Sequence, residues 1–235
     1  MRLDNYLVKY KKIQSRNKAI ELIKSNKILV NSILISKPSY NVDINCKIDI
    51  QENSLYVSRS AYKLKYFLNE LNLNLQNKLA LDIGSSTGGF TQILLENNIK
   101  HIICIDIGSN QLHQYLRYLH KIKLYENQDI RDFKSKIKFD IITCDVSFIS
   151  LNNILDYINN LLFEGIIILF KPQFEVGKNI KRDKKGVVLD EIAIKKSKLN
   201  FIDKTKKLKW KLEFRQISQI KGKNGNDEEL FYFKK

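Results

Sequence analysis

LALDIGSSTGGFT, residues 79–91, decides how this chain folds. Its first five residues are apolar apart from Asp82, the pattern of a strand buried on both faces, and they run through glycines into the helix-forming segment GGFTQILLEN. Strand, glycine turn and helix in that order open a βα unit. In open parallel sheets a ligand lies beyond the carboxyl ends of the strands, against backbone N–H groups and a helix N-terminus. Gly84 is expected to make the sharp turn, and Gly88 and Gly89 to let a ligand approach the backbone with no Cβ in the way. Asp106 ends the next strand, a little over 20 residues on, where an acid accepts hydrogen bonds from ribose hydroxyls.

The same alternation extends in both directions. SAYKLKYFLNEL, SNQLHQYLRYLH, LNNILDYINNLL and EIAIKKSKLNFIDKT read as helices, while HIICIDIG, KLYEN, FDIITCDV and EGIIILFKP read as strands. Near-continuous apolar strands separated by helices imply a mostly parallel sheet covered on both faces. LEFRQISQI and ELFYF, separated by KGKNGN, imply an antiparallel hairpin at one edge. The expected fold class is α/β, a doubly wound, Rossmann-like sheet occupying residues 61–235.

Residues 1–53 read differently. Leu3, Leu7 and Tyr10 recur at helical spacing, and Ser15 offers an N-cap to RNKAIELIKSN with its apolar stripe Ala19, Ile20, Leu22 and Ile23. Two short β-prone stretches then flank Asn31-Ser32, and a last one ends in CKIDI. This small α+β module is crowded with cations, from Arg2 and Lys9 to Lys24 and Lys27, and too small to bury much alone. Residues 54–60, SLYVSRS, are expected to link it to the α/β domain as a hinge.

Composition narrows the partners. A formal net charge of +16 makes a polyanion or an anionic membrane surface the first candidate, and the electrostatic footprint favours nucleic acid. Cys46, Cys104 and Cys144 are odd in number and widely spaced, which suits a reducing, cytoplasmic setting and gives no metal-ligand pattern. MRLDNYLVKYKK lacks a signal-peptide core, and the longest apolar run, GIIILF, is far short of a membrane span. No membrane association and no obligate protein partner are expected.

Two ligands suit the glycine turn. Its spacing, G-S-S-T-G-G, departs from the G-x-G-x-x-G that a dinucleotide pyrophosphate prefers. S-adenosylmethionine (AdoMet) needs no such cradle and gains from a carboxylate near its ammonium, for which Asp82 is placed; Asp129, beyond a later strand, would recognise the adenine amino group.

Three further stretches bring chemistry to that end of the sheet. SRSAYKL places Lys63 in the first turns of a helix, CDVSF places Asp145 at a strand end, and LFKPQFE places Lys171 at another. An apolar strand ending in Lys-Pro requires a nearby carboxylate to offset the burial of an ammonium, and Asp145 is the natural partner. A ribose 2′-hydroxyl attacks a methyl sulfonium only as its proton leaves. A lysine made partly neutral by burial and a second cation takes such a proton, while the second lysine stabilises the oxyanion. Glu228, in NGNDEELF, is placed to orient the lysines; Glu229 points to the opposite face of that strand.

Lys63, Asp145, Lys171 and Glu228 resemble the Lys-Asp-Lys-Glu tetrad of the FtsJ-like ribose 2′-O-methyltransferases. RLDNYLVKYKKIQSRNKAIELIKSNKILVNSILI resembles the αL-motif RNA-binding domain found in a small-subunit ribosomal protein and in pseudouridine synthases. That domain followed by YVSRSAYKL, LDIGSSTGGFT, CDVSFISL, LFKPQFEVGK and KGKNGNDEELF resembles the TlyA family of ribosomal RNA methyltransferases across nearly the whole chain. The resemblance implies AdoMet-dependent methylation of a cytidine 2′-hydroxyl in ribosomal RNA or a ribosomal subunit. The opening MRLDNYL is similar to the shorter branch, which implies the large-subunit target. It further implies that Ser85, Phe90 and Asp145 join the cofactor site and that Arg2, Arg16, Lys18 and Arg59 contact RNA. Ser60-Ala61 stands where many relatives have Gly-Gly, and Ser85 where Ala is common. Three rival readings are a non-catalytic RNA-binding assembly factor, a haemolysin or cytotoxin, and a nicotinamide oxidoreductase. Retention of all four tetrad residues opposes the first, the missing apolar span the second, and the glycine spacing the third.

Overall fold

A computed structural model describes residues 1–25, 27–31, 33–50 and 56–235. The chain divides into two compact units, Met1–Leu55 and Tyr56–Lys235.

In the first unit, α1 (Leu3–Tyr10) and α2 (Arg16–Lys24) precede β1 (Ile28–Val30), β2 (Ile33–Leu34) and β3 (Ile48–Ile50), which pair antiparallel in the order β2-β1-β3. The Ser15 hydroxyl caps α2 by accepting from the Lys18 N–H at 3.2 Å. Asn31, at φ 49°, makes the turn between β1 and β2, a left-handed position that asparagine tolerates. Leu3, Leu7, Ala19, Leu22, Ile23, Ile28 and Val30 form the core. Tyr10, expected in the apolar stripe, is exposed and stacks on Tyr6 at 4.9 Å.

The second unit is built on α3 (Ser60–Leu71), β4 (Leu79–Ile83), α4 (Gly89–Glu96), β5 (His101–Ile105), α5 (Gln114–Arg117), β6 (Ile122–Tyr125) and β7 (Lys138–Cys144). α6 (Leu155–Asn159), β8 (Leu162–Phe170), α7 (Pro172–Glu175), α8 (Glu191–Lys207), β9 (Lys211–Ile217) and β10 (Glu229–Lys234) follow. Seven strands form one sheet in the order β6-β5-β4-β7-β8-β10-β9, with β10 antiparallel to both its neighbours and every other pair parallel. This is the expected doubly wound α/β sheet with its hairpin at one edge. Period-two alternation sorts the two cores. Leu81, Ile83, Ile166, Ile168, Phe231 and Phe233 meet Leu155, Ile158 and Phe201 on one face. Ala80, Ile167, Leu169 and Leu230 meet Leu64, Phe67, Ile93 and Leu94 on the other.

Two expected helices are shorter than their patterns. Asn110, at φ 55°, bends the chain before α5, so that only Gln114–Arg117 of SNQLHQYLRYLH is helical. LNNILDYINNLL splits into a 3-10 turn, Leu151–Asn153, and α6, because Ile154 leaves the helical basin at φ −121°. Of the expected hinge, residues 54 and 55 lie outside the described residues. Tyr56 is buried, the Val57 N–H donates to Gln92 Oε1 at 2.9 Å, and Ser58 and Ser60 share a 2.7 Å hydrogen bond.

Candidate active site

The order of strands reverses direction between β4 and β7, the switch point at which such sheets bind ligands. Gly84 leaves β4 at φ 76°, and a Cβ there would lie 2.9 Å from the Asp145 carbonyl oxygen. Glycine is therefore required both by the turn and by the approach of β7. Ser86 N–H and Gly108 N–H donate to the two oxygens of Asp106, each at 2.7 Å, joining the turns after β4 and β5. Each oxygen retains a lone pair. The Ser85 hydroxyl is buried without a hydrogen-bond partner among the described residues.

The other glycines serve a different purpose from the one expected. A Cβ on Gly88, at φ 95°, would strike Leu116 and come within 2.8 Å of Leu112. One on Gly89 would strike the Ser58 and Ser60 hydroxyls. The space over these two residues belongs to the protein's own packing rather than to a ligand.

Asp82 also departs from expectation. Alternation along β4 turns it toward α4, where it has no exposed surface and accepts from Thr91 Oγ1 at 2.6 Å and Thr143 Oγ1 at 2.8 Å. Burial raises its pKa to about 6, against the opposing pull of the two threonines. It ties α4 to β7 beneath the glycine turn and presents no surface to a ligand. Phe90 is likewise 2% exposed within the core on that face, so its role is to pack α4. Asp129 is held by Arg131 through Nε at 3.0 Å and Nη2 at 2.6 Å, which lowers its pKa. Its Oδ1 also takes the Arg131 N–H, leaving Oδ2 the less occupied oxygen.

Lys63, Asp145, Lys171 and Glu228 form two buried ion pairs at the carboxyl end of the sheet. Lys171 Nζ lies 2.6 Å from Asp145 Oδ1 and donates to Ser147 Oγ at 2.9 Å. Lys63 Nζ, from the first turn of α3, donates to Glu228 Oε2. Glu228 Oε1 accepts from Gln173 Nε2 at 2.9 Å. The Asp145 N–H donates to the Ile83 carbonyl at 3.0 Å, so this carboxylate adjoins the glycine turn. Glu229 faces the other way, paired with Lys198.

The predicted RNA contacts are engaged within their own units. Arg2 grips the buried Asp4 with Nε at 3.0 Å and Nη2 at 2.9 Å, and Arg16 Nε adds a third bond at 3.0 Å. These guanidiniums hold the Asp4 pKa down at about 2, with Arg2 the larger influence. Both remain about half exposed at the side chain, which leaves outward N–H donors. Lys18 reaches Glu21 at 3.3 Å. Arg59 Nη2 donates to the Lys221 carbonyl at 2.7 Å, joining the start of α3 to the loop before β10.

Sequence reasoning missed three residues here. Ser147 and Gln173 stand inside the quoted motifs CDVSF and LFKPQFE, but nothing local marks their partners. Phe148 is 92% exposed at φ 66° and lies tilted against the ring of Phe174, with centroids 5.2 Å apart. An aromatic ring held in solvent by an unfavourable backbone is a site signal, and CDVSFISL contained it.

Among the described residues no helix is long and apolar enough to cross a membrane. Residues 56–235 match the FtsJ-like methyltransferase family and residues 1–45 the S4 domain. The chain is 50% identical to the 23S rRNA (cytidine-2′-O)-methyltransferase TlyA of Campylobacter jejuni, covering 99% of both chains. It is 35% identical to a Brachyspira hyodysenteriae protein named Hemolysin A, again over 99% of both. A solved structure from Streptococcus thermophilus, also named as a hemolysin, superposes with a TM-score of 0.76 at 28% identity, covering 100% of this chain and 88% of that one. With the Lys-Asp and Lys-Glu pairs at the carboxyl end of a sheet of this order, the chain belongs to the FtsJ-like methyltransferases, in the TlyA family.

Proposed function

We propose that this enzyme transfers the methyl group of AdoMet to the 2′-hydroxyl of a cytidine in ribosomal RNA, in the large subunit. The observation that carries this reading is the pair of buried Lys–carboxylate bridges beside the glycine turn. A catalyst for 2′-hydroxyl attack needs a proton acceptor and an oxyanion stabiliser, and two lysines in fixed positions supply both. The relative named for cytidine 2′-O-methylation of 23S rRNA supports the substrate.

The residues present fit the cofactor. The orphaned Ser85 hydroxyl, the spare lone pairs of Asp106 and the close turn at Gly84 suit a ligand with a ribose diol and a polar amino-acid end. Asp106, Ser85, Gly84 and Asp145 would hold it, with Asp129 at the base. Bound AdoMet supplies an electrophilic methyl on sulfur. Lys171, steadied by Asp145 and Ser147, takes the 2′-hydroxyl proton as the oxygen attacks once it is a neutral amine, its own proton having first passed to solvent. Lys63, steadied by Glu228, faces the developing negative charge. Arg2 and Arg16 offer their outward N–H groups to RNA phosphate, with Asp4 fixing their orientation.

Incubating the chain with labelled AdoMet and unmodified ribosomal subunits tests the reading. A label in large-subunit RNA at a position resistant to alkaline cleavage is expected, because a methylated 2′-oxygen cannot attack the neighbouring phosphate. Lys171→Ala should lower transfer by about 10²–10⁴-fold while filter binding of RNA stays near native. Equal loss of both would remove Lys171 from the chemistry.

A further inference from the structure

We infer that Gln173 is a positioning residue that sets the Lys63–Glu228 pair for catalysis. α7 starts at Pro172 directly after Lys171, and its next three side chains reach three separate pieces of the site. Gln173 Nε2 donates to Glu228 Oε1 at 2.9 Å. Phe174 meets the ring of Phe148, and Glu175 accepts from Ser150 Oγ at 2.6 Å and Leu151 N–H at 2.9 Å. Both Glu228 oxygens are therefore committed, Oε2 to Lys63 and Oε1 to Gln173.

The amide has only one workable orientation. Turned about, its oxygen would face the carboxylate and set acceptor against acceptor. In the orientation found, Gln173 Oε1 is buried without a partner among the described residues. A buried unpaired acceptor is unfavourable, and the bond to Glu228 is what the arrangement secures in return. The surroundings hold the residue in place. Arg182 donates to the carbonyls of Gln173 at 3.2 Å and Gly177 at 2.7 Å. The Asn226 side chain joins the following loop to the segment carrying Glu228 by accepting from the Val188 N–H at 3.0 Å.

The inference rests on the proposed methyl transfer, so one measurement is independent of activity. In the native chain, nitrogen-15 NMR should find a Gln173 side-chain N–H slow to exchange with water; fast exchange overturns the hydrogen bond whether or not the chain transfers methyl groups. Transfer to ribosomal subunits is then followed across pH on either side of neutrality. Gln173→Met keeps the volume and removes the donor, and kcat should fall about tenfold or more at every pH with both KM values near native. Gln173→Glu donates when protonated and repels Glu228 when ionised, so its activity relative to native should fall as pH rises. A ratio for Gln173→Glu that does not change with pH overturns the inference, as does a loss confined to the RNA KM. Should Gln173→Met fail to fold, the pH course of Gln173→Glu decides alone. A native chain that transfers no methyl group sinks the proposed function and leaves the exchange measurement standing.

Discussion

Asp82→Asn should make this protein more stable at pH 8 than the native chain. Burial raises the Asp82 pKa from 3.8 to about 6, the threonine hydroxyls notwithstanding. A carboxyl whose folded pKa is raised binds its proton more tightly in the folded state than in the unfolded one. Between those two values the unfolded chain ionises first, so stability falls as pH rises through the window and stays low above it. About two units at about 1.4 kcal/mol each give roughly 3 kcal/mol of lost stability above pH 6. Asparagine keeps the shape without the charge: its oxygen accepts from one threonine and its amide donates to the other hydroxyl. Urea unfolding followed by circular dichroism should show the two proteins nearly equal close to pH 4 and the variant ahead by up to about 3 kcal/mol at pH 8, several degrees in Tm. A gap that does not change with pH, or a less stable variant at pH 8, would refute the reasoning. The same variant separates the two placements of Asp82. Full burial predicts that AdoMet affinity changes by less than about tenfold. A loss of about a hundredfold would put the carboxylate against the ligand ammonium, as its place at the strand end suggests.

Two further substitutions probe the site from outside the charged groups. A Cβ on Gly222 would strike Glu228 Oε1, so Gly222→Ala should displace this carboxylate and lower kcat by about 10–100-fold, with RNA binding by filter assay unchanged. Native turnover in that variant would show that Glu228 tolerates displacement. Phe148→Ala removes an exposed ring, so unfolding should stay within about 0.5 kcal/mol of native. If a flipped-out base stacks on that ring, kcat/KM for RNA should fall by about 5–100-fold, and unchanged kinetics would reject the platform.

The fold was legible because its signal is local. The central strands of the sheet are largely apolar runs, and each long helix repeats at its own period. The Lys171–Asp145 pair was legible for a physical reason as well: an ammonium ending an apolar strand demands an acid. Gln173 was not, because its partner lies 55 residues away and its own neighbours give no hint of it. The glycines misled in an instructive way. Gly88 and Gly89 look like space left for a ligand, yet Leu112, Leu116, Ser58 and Ser60 fill that space from segments whose approach no turn motif encodes. Asp82 could have been placed better, since alternation with Leu81 and Ile83 already turned it toward α4.

Register sets which of the two adjacent glutamates meets Lys63. β10 runs antiparallel to β8 with Glu229 opposite Phe170, which sets Glu228 level with Lys171 one step beyond the ladder. On the other side β7 runs parallel to β8 with Cys144 opposite Ile168, and that offset brings Ser147 level with Lys171. The end of one central strand thus receives an acid from an antiparallel neighbour and a hydroxyl from a parallel one, at the same height. A slip of β10 by one residue would exchange the faces of Glu228 and Glu229, taking Glu228 from Lys63 and setting it toward Lys198. The apolar faces of Phe231 and Phe233, locked against Phe170 and Phe201, forbid that slip. The identity of the acid beside Lys63 is therefore decided by the packing of phenylalanines on the far side of the sheet, and the chemistry depends on a core it does not touch.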